Sequence, residues 1–310
     1  MAVSPLIREI VALHRAQLAG IIEVRGVGRL RGIYASSRTE LEDRLASLKR
    51  DGKGQTFAAV HLQLVLAQVV EALRNFEAPF REHLHQTGQL AGVVAPRQVA
   101  QMIGRVETAR GAMTPVIAAE QAAVVRGVYP SVAPTLLQRY RDSAKRYGPQ
   151  ALLSIRDGLS RSLVQGETVD QAVDRLVKAG GTFDGQRWRA ERVCRTELSH
   201  AAGVTTQRAM EGFRMSMPKL LKRWVETRDD REGDDSKDLD GQTVPVDQPF
   251  VWVVKDSKGR PTGKIVRMMQ GPNRPNDRSL CIPWQSAWGN PETVAPAGPV
   301  KPTTRGLASS

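Results

Sequence analysis

The sequence predicts an α+β fold: an all-helical N-terminal region, then a domain of helices packed on a small antiparallel sheet. Three observations carry this. Up to about residue 212 the apolar residues recur every three or four positions, as one face of a helix does. Past Pro218 they fall into short runs separated by Gly and Pro, as strands do. The aromatics also divide: all four Tyr lie before residue 150, and all five Trp lie after residue 187. We therefore expect a helical docking region over 1–150, a mixed domain over 151–289, and a Pro/Thr/Ser-rich tail over 290–310 that has no periodicity.

In chain order, Leu6, Ile7, Ile10, Val11 and Leu18 predict a first helix. Ser37 and Glu40 have capping-box spacing ahead of Leu41, Leu45 and Leu48, and Asp51-Gly52 is a stop. Val60, Leu64, Val65, Val69 and Leu73 form a dense run over 55–78, wide enough for a helix buried on several sides. Pro96 suits the start of another helix that runs past Ala123, weakened or kinked by Gly111 and Pro115. Pro134 starts the next, and Gly148-Pro149 separates it from one ending near Leu163. Thr168 and Gln171 form a second capping box before Val169, Ala172, Val173, Leu176 and Val177, and Gly180-Gly181 stops that helix. A long helix follows over 185–212. Leu220 to Val225, Phe250 to Val254, Ile265 to Met269 and Leu280 to Trp284 read as strands.

Charge narrows the function classes. Lys and Arg number 45 against 32 Asp and Glu, a formal net charge of +13. A balance of this size suits nucleic acid or an acidic partner, with a solvated basic surface that needs no partner as the lesser alternative. The charge is uneven. Residues 226–240 hold eight acids, and the stretch from Lys255 to Arg305 holds nine cations against three acids. Within it Lys255, Lys258, Arg260, Lys264 and Arg267 are the candidate nucleic-acid contacts. No run is long and apolar enough to span a membrane, so no membrane partner is expected. The start of the chain lacks a signal-peptide pattern. Cys194 and Cys281 cannot build a disulfide framework, which points to a reducing compartment.

Chemistry is sparse. His14, His61, His83, His85 and His200 show no zinc spacing with the two Cys. His83 and His85, two apart, read as solvated. Asp238, Asp240 and Gly241 imitate positions three, five and six of a calcium loop, but Ser236 and Asp247 depart at positions one and twelve. We read a solvated acidic loop and expect no metal or cofactor. No nucleophile elbow or phosphate loop is present. Cys194 lies on the apolar side of its helix and reads as inert. Glu197 shares that stripe with Ala190, Cys194, Ala201 and Val204. A buried carboxylate needs a partner, and Arg192, Arg195 and Arg231 are candidates. A structural ion pair is the reading adopted over a catalytic acid.

The run Arg192-Val193-Cys194-Arg195-Thr196-Glu197-Leu198-Ser199-His200-Ala201 carries a resemblance. Gly166 to Leu176 precedes it; Gly212, Trp224, Thr227, Asp230, Arg231, Leu239-Asp240-Gly241-Gln242 and Pro249-Phe250 follow in order. This series resembles the phage Mu F-like head morphogenesis (minor capsid, or minor head) family over about residues 150–285. Two family elements depart: Ser236 stands where a His is usual, and Arg278-Ser279-Leu280-Cys281 retains one Cys of a Cys-Arg-Cys-like stretch. The resemblance implies a low-copy, non-enzymatic virion protein of the capsid interior near the portal, assembled in the host cytoplasm. It implies the portal, major capsid or scaffolding protein as partners, and non-specific double-stranded DNA. It makes Arg192, Arg195, Thr196, Glu197, Trp224, Asp230, Arg231, Leu239, Asp240 and Gly241 a structural signature. An effector enzyme carried in the head, or a DNA-binding protein unrelated to phage, are the alternatives.

Overall fold

In the computed structural model the described residues are 3–226, 234–271 and 279–289. The chain opens with an unbroken helical rod. Helix α1 (Val3–Ala19) passes into a π-helical stretch (Gly20–Gly28), which passes into α2 (Arg29–Asp51). The π turns are wider than α turns and shift the phase of the buried face. Gly26 sits where α6 (Thr182–Gly212) approaches: a Cβ there would come within 2.5 Å of the Leu198 side chain.

Two helices of unusual length follow, α3 (Ala59–Ala109) and α4 (Pro115–Val164). They run through Pro79 and Pro96, and through Pro130, Pro134 and Pro149, so the helix starts expected at Pro96 and Pro134 and the break at Gly148-Pro149 do not occur. An interior proline costs roughly 3 kcal/mol, by removing a hydrogen bond and crowding the carbonyl four residues back. Continuous burial offsets this: Leu84, Ala91, Ala95, Met102 and Val106 of α3 are buried in one sequence of turns. Gly92 occupies the crowded position before Pro96. The break falls instead at Gly111 (φ +69°) and Pro115, where Thr114 caps α4 by accepting from the Ile117 N–H at 3.2 Å.

The helix start expected at Ser37 is also absent. Both Ser37 and Glu40 lie inside α2, where Ser37 Oγ donates to the Ile33 carbonyl and Glu40 accepts from Arg44 and Asn75. A helix already nucleated upstream leaves no unpaired N–H groups for a cap to serve. The second capping box does form. Thr168 N–H donates to Gln171 Oε1 at 2.9 Å, and Gln171 N–H to Thr168 Oγ1 at 3.3 Å, opening α5 (Val169–Val177).

Beyond α6 come β1 (Leu221–Val225), α7 (Asp234–Leu239), β2 (Thr243–Pro245), β3 (Phe250–Lys255), β4 (Pro261–Met268), β5 (Leu280–Trp284) and a 3₁₀ turn at Ser286–Trp288. Strands β2-β1-β5 form one antiparallel sheet, and β3 and β4 form a separate hairpin. The sheet is small and antiparallel, and the fold is α+β with a helical N-terminal region. Neither β2 nor α7 was expected; each is too short to show periodicity.

Two large apolar clusters hold these elements. The first joins α2 through α6 around Tyr34, Phe76, Phe80, Tyr140, Tyr147 and Phe183. The second joins Leu6, Ile7 and Ile10 of α1, the Val99–Val106 end of α3, and Met210 and Phe213 to Trp224, Phe250, Trp284 and Trp288. Residue 150, where the sequence suggested a boundary, lies within α4, and both clusters draw on residues from either side of it. No helix among the described residues is long and apolar enough to cross a membrane.

Candidate functional site

The signature residues separate into three settings. Glu197 is buried, and its partner comes from α4. Arg139 Nε donates to Glu197 Oε2 at 2.5 Å, and Ser143 Oγ donates to Oε1 at 2.9 Å. The expected partners are elsewhere. Arg192 is exposed and Arg231 lies outside the described residues. Arg195 instead forks onto Glu23 of the π-helical stretch at 2.8 and 3.0 Å and reaches Glu191 at 3.4 Å. Arg139 lies 58 residues from Glu197, a separation that no local spacing rule reveals. Its only sequence signal is that Arg139 and Ser143, four apart, share a helix face.

Glu191 is the centre of a second ionic group. Arg31 of α2 donates to both its oxygens, at 2.8 and 3.2 Å. Burial pushes this carboxyl up, but the Arg31 hydrogen bond and the charges of Arg31, Arg195 and Arg187 outweigh it and hold the group below the usual range. Thr196 donates to the Arg192 carbonyl within its own helix. Cys194 is fully buried, and burial pushes its thiol up to about 12. It packs against the glycine face of the rod, as a small hydrophobe does. The half-buried His200, beside Arg139, is lowered to about 4 by burial and then by that charge.

Trp224 organises the third setting. It is fully buried, edge-on to Phe250 with ring centroids 5.2 Å apart. Its Nε1 donates to Glu226 Oε1 at 2.7 Å, and its carbonyl accepts from the Gly241 N–H at 3.0 Å. The Glu226 N–H in turn donates to Asp240 Oδ1 at 3.1 Å. Ser279 Oγ also donates to Glu226, and Arg15 of α1 donates to the Glu226 carbonyl. Gly241 has φ +81°, a left-handed turn that glycine takes without a Cβ penalty. Leu239 is fully buried beside this knot. Thus Trp224, Leu239, Asp240 and Gly241 come together, while Asp230 lies outside the described residues. Glu226 is the hub that sequence reading missed. The signal was its place two residues after Trp224, just past the end of β1.

The basic candidates lie on the β3–β4 hairpin. Lys255 pairs with Asp238 at 2.6 Å, and Arg260 with Asp256 at 2.8 Å. Lys258, Lys264 and Arg267 are exposed. His83, expected in solvent, is buried: its Nε2 meets the Gly26 carbonyl at 2.7 Å, which a neutral ring satisfies by donating. Among the described residues no group of three His, Cys, Asp or Glu is placed to share a metal ion. An open groove of about 780 Å³ lies between α1, α3 and α4, lined by Leu6, Ala100, Gly104, Met113, Ala122 and Val125. It contains none of the signature residues. Comparison of the chain with models of known families, with curated proteins and with solved structures finds no match.

Proposed function

We propose that the chain is a structural protein of a phage head: a minor capsid, head-morphogenesis component that contacts portal, capsid or scaffolding protein and double-stranded DNA in the capsid interior. The observation that carries this reading is the knot around Trp224. Of the family-like series, Trp224, Leu239, Asp240 and Gly241 meet there as packing and hydrogen-bond partners rather than as solvent-facing reactive groups. The acid of the series, Glu197, is likewise held by Arg139 and Ser143. A signature used in this way preserves a framework. The excess of 45 cations over 32 acids favours a polyanionic neighbour, bound without base readout.

Co-purification of the tagged chain from infected cells tests the reading. Portal and capsid subunits recovered together with it would support it, and their absence alongside recovered host enzymes would overturn it. Binding to a random-sequence duplex should weaken with salt. Lys258, Lys264 and Arg267, exposed on the hairpin, should together contribute about three to the slope of log K against log salt. Replacing Lys258, Lys264 and Arg267 by Ala should remove that share.

A further inference from the structure

The β3–β4 hairpin is a two-stranded sheet that stands apart from β2-β1-β5. Two strands alone are marginal in water, and a further strand or a covering element stabilises them. One side has cover: Asp238 of α7 accepts from Trp252 Nε1 and from Lys255 of β3. The outer edge of β3 is also engaged. The Gln242 side chain donates to the Val251 carbonyl and accepts from the Val251 N–H, each at 3.0 Å. Val251 therefore turns its backbone groups away from β4, and its register partner Arg267 turns its own away from β3. The same holds two residues along, for Val253 and Ile265. The N–H and C=O groups of Ile265 and Arg267 thus line an open edge, and no other backbone among the described residues pairs with them. The side chains at this edge are apolar and exposed. Val251 (39%), Val253 (39%) and Ile265 (49%) share one face of the hairpin, and Met269 (38%) follows just past β4.

We propose that the β4 edge receives an extended segment of a protein partner, added antiparallel as a third strand, with an apolar side chain beside Ile265 and carboxylates opposite Arg267 and Lys264. Strand addition draws affinity from main-chain hydrogen bonds and specificity from alternate side chains. Charge selects an acidic strand, because β4 holds Lys264 and Arg267 and no acid. A second copy of β4 would bring two more cations and no acid, and cations on an edge strand guard against such self-pairing. Duplex DNA would answer the cations, yet phosphates have no donor for the Ile265 and Arg267 carbonyls, and Val251, Val253 and Ile265 would stay in water. The inference stands on the hairpin and does not need the head reading. Arg267, offered to duplex above, cannot serve both partners at once.

The test follows the anisotropy of a labelled peptide, Val-Thr-Glu-Thr-Val-Glu between Gly-Ser flanks, titrated with the full chain. Laid antiparallel, it sets its two Val opposite Met269 and Ile265, and its two Glu opposite Arg267 and Lys264. It should bind, and the same peptide with Lys for Glu should bind about tenfold more weakly. Methylating the peptide amides that face Ile265 and Arg267 should abolish binding. Ile265→Pro should abolish it too. The N–H removed points away from β3, so the hairpin keeps its ladder and far-UV circular dichroism should be unchanged. Lys264→Glu with Arg267→Glu should reverse the preference, so that the Lys peptide binds better. Binding indifferent to the methylated amides, a preference that does not reverse, or no binding of either peptide would overturn the proposal. A dimer of the chain that is lost in Ile265→Pro would assign the edge to a second copy and overturn it as well. A parent chain that binds the peptide but no duplex would leave this inference standing and remove the DNA contact alone.

Discussion

The Nε2 of His83 lies 2.7 Å from the carbonyl oxygen of Gly26, so a side chain of α3 is tied to the backbone of the π-helical stretch. A π turn is held less regularly than an α turn, and an external donor at its backbone stabilises that choice of geometry. His83→Ala should cost about 1–3 kcal/mol, as loss of a buried hydrogen bond does. Urea denaturation measures it. A cost near zero would show that the tie contributes nothing.

Acid should destabilise the fold through its histidines. Burial lowers His14 and His200 to about 4, and lowers His83 as well. Between the lowered values and the ordinary 6.5, the unfolded chain binds more protons than the folded one, so unfolding free energy falls as pH falls. Their stabilising share is intact above pH 6.5 and is lost as pH drops through the lowered values, about 4 for His14 and His200. For His14, nearly fully buried, this amounts to at most roughly 3 kcal/mol. Denaturation midpoints at pH 7 and pH 5 should diverge in the parent, and less so in His14→Phe.

The Glu197 pair should respond asymmetrically. The Glu197 side chain is 5% exposed and that of Arg139 is 39% exposed. Removing Arg139 strands a buried carboxylate, whereas removing Glu197 leaves a cation that water already reaches. Arg139→Ala should cost about 3–4 kcal/mol and Glu197→Gln about 1–2. Equal losses would mean that the burial difference does not govern the pair.

Gly88 lies against the Tyr140 ring. A Cβ there would come 2.3 Å from its hydroxyl oxygen and 2.5 Å from the adjacent ring carbon. The ring cannot yield, so Gly88→Ala should destabilise by about 2–3 kcal/mol. The Tyr140 hydroxyl is buried without a hydrogen-bond partner among the described residues. Tyr140→Phe alone should therefore be neutral or stabilising, and it should recover part of the Gly88→Ala loss in calorimetry of the double variant.

Lys222 is fully buried. Its Nζ donates to Gln207 Oε1 at 3.1 Å and to the Met269 carbonyl at 2.5 Å, and stands 5.0 Å from the centroid of the Phe250 ring. Burial lowers its pKa, against weaker opposing influences of Cys281, Glu211 and Asp247. The unfolded chain then holds the proton at pH values where the folded one has lost it, so this group makes stability rise toward pH 10.5. Lys222→Met should match or exceed the parent at pH 7 and flatten that rise, because a well-packed apolar chain spares the desolvation of a charge. A Lys222→Met variant less stable by more than about 2 kcal/mol would contradict this.

How much of this lay open in the sequence depends on the reach of the interaction. Local features read well: the Thr168–Gln171 cap, the strand runs at Phe250 and Leu280, and the stripe that buries Glu197 all depend on neighbours within a few residues. Helix continuity did not, because prolines at 96, 134 and 149 signal breaks that tertiary burial overrides. The π-helical stretch has no periodic signature in the sequence. The partners of Glu197 and His83 come from other helices, and single-sequence spacing carries no record of such pairings. The Trp224 knot falls between: its members were recognisable as a series, and their meeting depended on Glu226.

Trp288, the last buried residue described, donates its indole N–H to Glu107 of α3 at 2.6 Å and belongs to the same apolar cluster as Ile7 and Ile10. Helix α1 therefore waits for a tryptophan made long after it. At about 5–20 residues per second, roughly a quarter of a minute to nearly a minute of translation separates the two. Through that interval the apolar stripe of α1 has no finished core to enter. A nascent chain truncated before Trp284 should hold α3 and α4 against each other while leaving α1 accessible to chaperones and proteases.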